Sequence, residues 1–233
     1  FASEGAQIQS LGIASTKVAM TYGASMTDIK ESIKSASMNT ISDYDAMKSA
    51  SKAMLLGVSA DADDLGNLME IAAFRAKAMG LDTTEAFERI VTGIGRRSTK
   101  ILDDLGIITN TAKAQETYAA SIGKTVDQLS EADRIQALFN DTLRAGNELL
   151  SQAGGLTFDA ATGYQRVNAA YQDFWNNTKQ NAAMLGLPLI ASSEEIKGMY
   201  EEEAALAMLS GDYEGYVEAR KKAALQDTMS GKG

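Results

Sequence analysis

The stretch Gly93–Ile108 reads GIGRRSTKILDDLGII and places two glycines, two arginines, a Ser-Thr pair and a lysine within its first eight residues. These are the residue types that cradle phosphate when they lie between a strand and a helix. A phosphate loop of that kind reads G-x-x-x-x-G-K-[ST], and a dinucleotide loop reads G-x-G-x-x-G after a strand. Here the third glycine is missing, no Gly-Lys precedes Ser98, and an amphipathic helix comes before the glycines. The pattern therefore predicts a turn between helices. Gly93 and Gly95 end a helix that starts at Thr84, Ser98 caps a short helix through Leu105, and Gly106 closes it. Ile101, Leu102, Leu105, Ile107 and Ile108 then pack inward. Arg96, Arg97 and Lys100 face solvent and pair with Asp103, Asp104 or Glu88, each pair contributing under about 1 kcal/mol.

Carboxylates are the other candidates for chemistry. Asp61, Asp63 and Asp64 cluster, as do Glu194, Glu195 and Glu201 to Glu203. Glycoside cleavage needs two carboxylates converging on a cleft. A simpler reading places Asp61–Asp64 in the first turn of a helix, where negative charge complements the dipole, and makes Glu201–Glu203 a solvated helix face. Asp61–Gly66 also fails as a calcium loop, since Leu65 stands where an oxygen ligand belongs and Ala72 occupies the twelfth position. The chain has neither histidine nor cysteine, which removes His-based acid–base chemistry, thiolate metal sites and disulfides. The sequence thus points to no catalytic residue, no cofactor-binding residue and no metal ligand. Met47, Met54, Met69 and Met79 fall on apolar faces and read as core filler, as does the aromatic cluster Tyr171, Phe174 and Trp175.

What positions these residues is helical throughout. The chain of 233 residues is 45% hydrophobic, enough for a real core, with 6% aromatics and a single proline, Pro188. Its apolar content is mostly alanine, which favours helix but buries little surface. A net charge of −9 argues against a dedicated nucleic-acid binder. The most apolar run, Ala182–Ala191, is about half the ~20 residues a bilayer-spanning helix needs. A glycine followed by a Ser, Thr or Asp cap recurs at Gly23–Asp28, Gly57–Asp61, Gly80–Glu85 and Gly123–Gln128. Glycine ends one helix in the left-handed conformation and the capping oxygen begins the next.

Periodicity between these marks predicts helices at 4–22, 26–38, 43–56, 61–79, 83–95, 98–105, 110–122, 126–152, 157–185, 193–209 and 212–229. The expected fold is all-α: a multi-helix bundle of short helices joined by Gly/Ser-Thr-Asp capped turns, with longer C-terminal helices. A boundary at 151–155 divides a compact helical domain, 1–152, from a longer helical segment, 156–230. With Phe at the start and MSGKG at the end, the chain reads as a piece of something longer.

The run Met69–Ile108, MEIAAFRAKAMGLDTTEAFERIVTGIGRRSTKILDDLGII, resembles a segment of tail tape measure proteins of long-tailed bacteriophages and prophages. The resemblance lies in the turn around Gly80–Phe87 and in the block Gly93–Gly106. It continues from Tyr118 to Arg134 and covers residues 40–150, with Arg97 standing where the pattern has a small residue. It implies a mostly helical protein of the tail lumen whose length sets tube length and which leaves the tail at infection. Implied partners are the tail tube protein, tail assembly chaperones, tail tip proteins and further copies of itself, with no sequence-specific nucleic acid. Any contact with the host membrane falls to other parts of the protein. The implied location is the virion, with the host cytoplasm during assembly. The dense caps between 23 and 125 predict a compact bundle rather than a continuous rod. Two other classes stay open: a peptidoglycan-cleaving domain with converging carboxylates, and a helical adaptor with an exposed apolar groove.

Overall fold

The computed structural model describes residues 2–157 and 159–184. The helices expected at 193–209 and 212–229, and the glutamates at 194, 195 and 201–203, lie outside the described residues. Among the described residues the chain is all-α, with no strand. In order come α1 (Ala2–Thr21), α2 (Met26–Ala36), α3 (Asp43–Leu55), α4 (Ala62–Met79), α5 (Thr83–Gly95) and α6 (Thr99–Asp103). Then follow α7 (Thr111–Ser121), a 3-10 turn (Val126–Gln128), α8 (Glu131–Ala153) and α9 (Ala160–Met184).

The punctuation read from the sequence is physical. Gly23, Gly57, Gly80 and Gly123 all take φ near +70°, a conformation cheap only for glycine. Ser25, Asp61 and Asp82 then accept backbone N–H groups from the first turns of α2, α4 and α5. The cap of α4 is Asp61 alone; Ser59 instead bonds the Asp64 carboxylate at 2.9 Å. The turn before α3 carries no glycine. Met38 and Asn39 supply its positive φ angles, and Ser42 caps α3.

One expected helix divides. The range 126–152 begins with the 3-10 turn, whose Thr125 N–H donates to Gln128 Oε1 at 2.9 Å. Leu129 then takes extended backbone, φ −70° and ψ 124°. Ser130 and Asp133 form a reciprocal capping box that starts α8 at Glu131. Two caps five residues apart compete, and the box with the longer apolar stripe behind it sets the helix.

The chain separates into two compact units, Gln9–Thr157, and Phe1–Ile8 together with Phe158–Gly233. Residues 1–8 therefore group with the later part of the chain, a pairing that a linear boundary at 151–155 does not contain. In the first of these units α2 packs on α4, α4 on α5, α3 and α6 on α5, and α8 on α4 and α5. Ile29, Ile33, Leu65, Leu68, Met69, Phe87, Ile90, Ile94, Leu138 and Phe139 are buried at its centre. Burying each such side chain is worth about 1.5–3 kcal/mol, more than any single surface ion pair of the unit. Small residues let the helices close up: Gly146 on α8 faces the Ile71 side chain and Gly66 on α4 faces Ser32. In the other unit the backbone at Gly5 lies against the Lys179 carbonyl, and Lys179 pairs with Glu4 at 3.2 Å.

Candidate functional site

The Gly93–Ile108 stretch forms the end of α5, a tight turn, and α6. Gly95 is the last residue of α5, as the sequence predicts, and Gly93 and Gly95 both have a second role. Gly93 is buried inside α5, where an added Cβ would lie 2.9 Å from the Leu102 side chain, and at Gly95 one would lie 2.7 Å from Leu56. Both permit close approach. The left-handed residue that turns the chain is Arg97, φ +52°. Ser98 stands at the α6 N-cap without a side-chain capping bond, and α6 ends at Asp103. Gly106 then turns the chain at φ +69°, with its backbone close to the Arg75 guanidinium. Arg75 Nε donates to the Leu105 carbonyl at 2.5 Å, which clasps α4 to this turn. No strand precedes the glycines, so the geometry is that of a packed helix–turn–helix.

The inward set is correct for Leu102, Leu105 and Ile107, but Ile108 is 68% exposed. It directs its side chain outward because the chain leaves the core there to begin α7. Arg96, Arg97 and Lys100 are exposed. Arg97 pairs with Glu131 at 2.9 Å, not with Asp103, Asp104 or Glu88. Glu88 is held by Lys48 at 3.3 Å and Lys52 at 2.9 Å, a bridge from α3 to α5 that linear spacing does not reveal. Asp43 makes the equivalent bridge from α3 to Lys30 and Lys34 of α2. Burial pushes both carboxyls up, but the paired lysines outweigh it and leave each below its ordinary value.

The Asp61–Asp64 cluster is a helix start. Asp61 Oδ1 accepts the N–H groups of Asp63 and Asp64 at 2.9 and 3.0 Å. Asp64 is raised above its ordinary value, first by burial and then, against the Ser59 hydrogen bond, by the neighbouring Asp61 and Asp63. Backbone N–H groups account for the Asp61 carboxyl and the Ser59 hydroxyl for that of Asp64. Among the described residues no group of three potential ligands is placed to hold a metal ion. No described helix is long and apolar enough to cross a membrane.

Met54 and Met69 are buried as core filler and Met47 packs against the core, but Met79, at the last turn of α4, is 43% exposed. The aromatics of α9 do cluster, with Trp175 edge-on to Tyr171 at 6.1 Å and to Phe174 at 5.6 Å. Phe174 is nevertheless half-exposed, because the three rings at i, i+3 and i+4 wrap partly around the helix.

The feature that sequence reading missed is a cleft of about 630 Å³ between α7 and α8. Lys113, Thr117, Tyr118 and Ser121 line one wall, with Asn140, Asp141, Arg144 and Glu148 on the other and Ala114 and Ala137 between. Arg144 binds Asp141 through Nε and Nη2 at 2.8 and 2.6 Å and Glu148 at 2.9 Å. Asp141 also accepts the Asn110 backbone N–H at 2.8 Å. The i, i+3 and i+7 spacing of Asp141, Arg144 and Glu148 was a usable signal for that wall; nothing local announced the facing one. The lining charges largely neutralise each other, and the cleft holds no pair of carboxylates facing across it. No protein-family model matches the chain, and no solved structure matches it.

Proposed function

We propose that this chain is a structural segment of a bacteriophage or prophage tail tape measure protein, helping to set tail tube length and taking part in tail assembly and genome ejection. The observation that carries the reading is the block Met69–Ile108, with its continuation through Arg134. What supports it physically is where those residues fall. The block runs from the second half of α4 through α5 and α6 and supplies Met69, Phe87, Ile90, Ile94 and Leu102 to the buried core. The shared pattern is thus the pattern of a packing unit, as a scaffold segment needs. The carboxylates of Asp61 and Asp64 serve as a cap and a hydroxyl partner, which favours a structural role over the peptidoglycan-cleaving alternative. In this reading the segment contacts the tail tube protein, assembly chaperones, tail tip proteins and other copies of itself.

Mass spectrometry of purified tails tests the assignment. Peptides from residues 1–233 are expected in the tail fraction, and their confinement to host debris argues against it. Incubating the chain with purified cell walls tests the enzyme alternative: released muropeptides would overturn the structural reading.

A further inference from the structure

We propose that α7 is a strap that opens from α8 as a unit while the rest of Gln9–Thr157 stays folded. Of the eleven residues of α7 only Ala114 and Ala119 are buried, and alanine is the smallest side chain that can hold an interface. By contrast α5 buries Phe87, Ile90, Val91 and Ile94. Packing of α7 is chiefly on α8 and the 3-10 turn, and a cleft lined by polar side chains of both helices runs along that seam.

Polar bonds hold the strap in place. Asp141 Oδ2 accepts the Asn110 N–H at its start. Arg134 reaches from α8 with Nη1 to Gln115 Oε1 at 2.8 Å and with Nη2 to the Val126 carbonyl at 3.1 Å. These groups are exposed or part-buried, so water replaces each bond when the strap lifts, and each bond favours the closed strap only by a modest factor. The chain can bend at both ends, at Asn110, with extended φ −123°, and at Gly123, with φ +69°. Once detached, a helix of this length is marginal in water, so opening and local unfolding are one event.

The core does not depend on the strap. On its other side α8 is held to α4 by Gly146 against Ile71, and its Leu138 and Phe139 are buried in the main cluster. Opening therefore uncovers Ala137 in the cleft and frees residues 110–126 as a connector, up to the buried Leu129, without moving α8. None of this depends on the tail assignment.

Native-state hydrogen exchange on the full 233-residue chain, read by mass spectrometry, tests the strap. Amides of α7 are expected to exchange about a hundredfold faster than those of α4 and α5, after correction for intrinsic rates, and to respond less steeply to mild denaturant because less surface is exposed. Arg134→Met removes both latch bonds and keeps an apolar stem; it should raise α7 exchange about tenfold and leave α4 and α5 unchanged. If that variant does not fold, Gln115→Ala breaks one of the two bonds at a half-exposed site and should give a smaller rise of the same kind. Exchange of α7 within a few-fold of α4 and α5, or a variant that speeds all three helices alike, overturns the proposal.

Discussion

At the scale of single residues, glycine shows how one residue type does opposite jobs in this chain. Gly12 lies within α1 with nothing near the position of an added Cβ, whereas at Gly146 a Cβ would strike three atoms of the buried Ile71 side chain. Replacing a helical glycine by alanine gains roughly 0.8–1 kcal/mol of helix propensity, and overpacking a filled core costs about 1–3 kcal/mol. Gly12→Ala is therefore expected to stabilise by up to about 1 kcal/mol. Gly146→Ala should destabilise by up to about 2 kcal/mol, since the overpacking outweighs the same gain. Urea unfolding measures both, and a stabilising Gly146→Ala would show that α8 does not pack on Ile71 as described. The turn-forming glycines at 23, 57, 80 and 123 were legible because the capping residue follows within a few positions. Gly95 does end α5, as the sequence predicts, but the close approaches that Gly93 and Gly95 permit were not legible, because their partners, Leu102 and Leu56, are set by packing rather than by neighbouring sequence.

Elements are held in register by caps and by charge bridges, and these titrate. Asp133 is held at about 2 by its Lys124 hydrogen bond and by the Ser130 backbone and hydroxyl. Its folded pKa lies below the unfolded value of about 3.9. Its contribution is present above pH ~4 and is lost as pH falls toward 2. Asp43 and Glu88 shift in the same direction, while Asp64, raised by burial, is relieved by protonation. The stability difference between the natural chain and Asp133→Asn should be largest near pH 6 and shrink toward zero near pH 2. A difference that does not change with pH would mean that the α8 cap does not depend on the Asp133 charge. The existence of nearly every described helix could be read from the 3.6-residue period, because caps and stripes are local. The split at Leu129 could not, since two valid caps compete there. The bridges from α3 to α2 and to α5 could not either, since their partners come from different helices.

At the scale of the whole chain, the all-α class follows from alanine, a single proline and repeated caps, and the described residues bear it out. The grouping of residues 1–8 with the chain after 157 was not legible, because it joins segments far apart in sequence. The tape-measure reading makes a claim about length that the virion itself can answer. A helix rises 1.5 Å per residue, so the roughly 150 residues of Gln9–Thr157 span at most about 220 Å when fully extended. As a compact unit the same residues have a radius of gyration of about 15 Å and span about 40 Å. The most direct measurement is tail length by electron microscopy after in-frame deletion of residues 9–157 from the tail protein that carries them on the proposed reading. The account predicts assembled tails shortened by between about 40 and 220 Å, the value reporting how folded the unit is in the tube. Tails of unchanged length would contradict it.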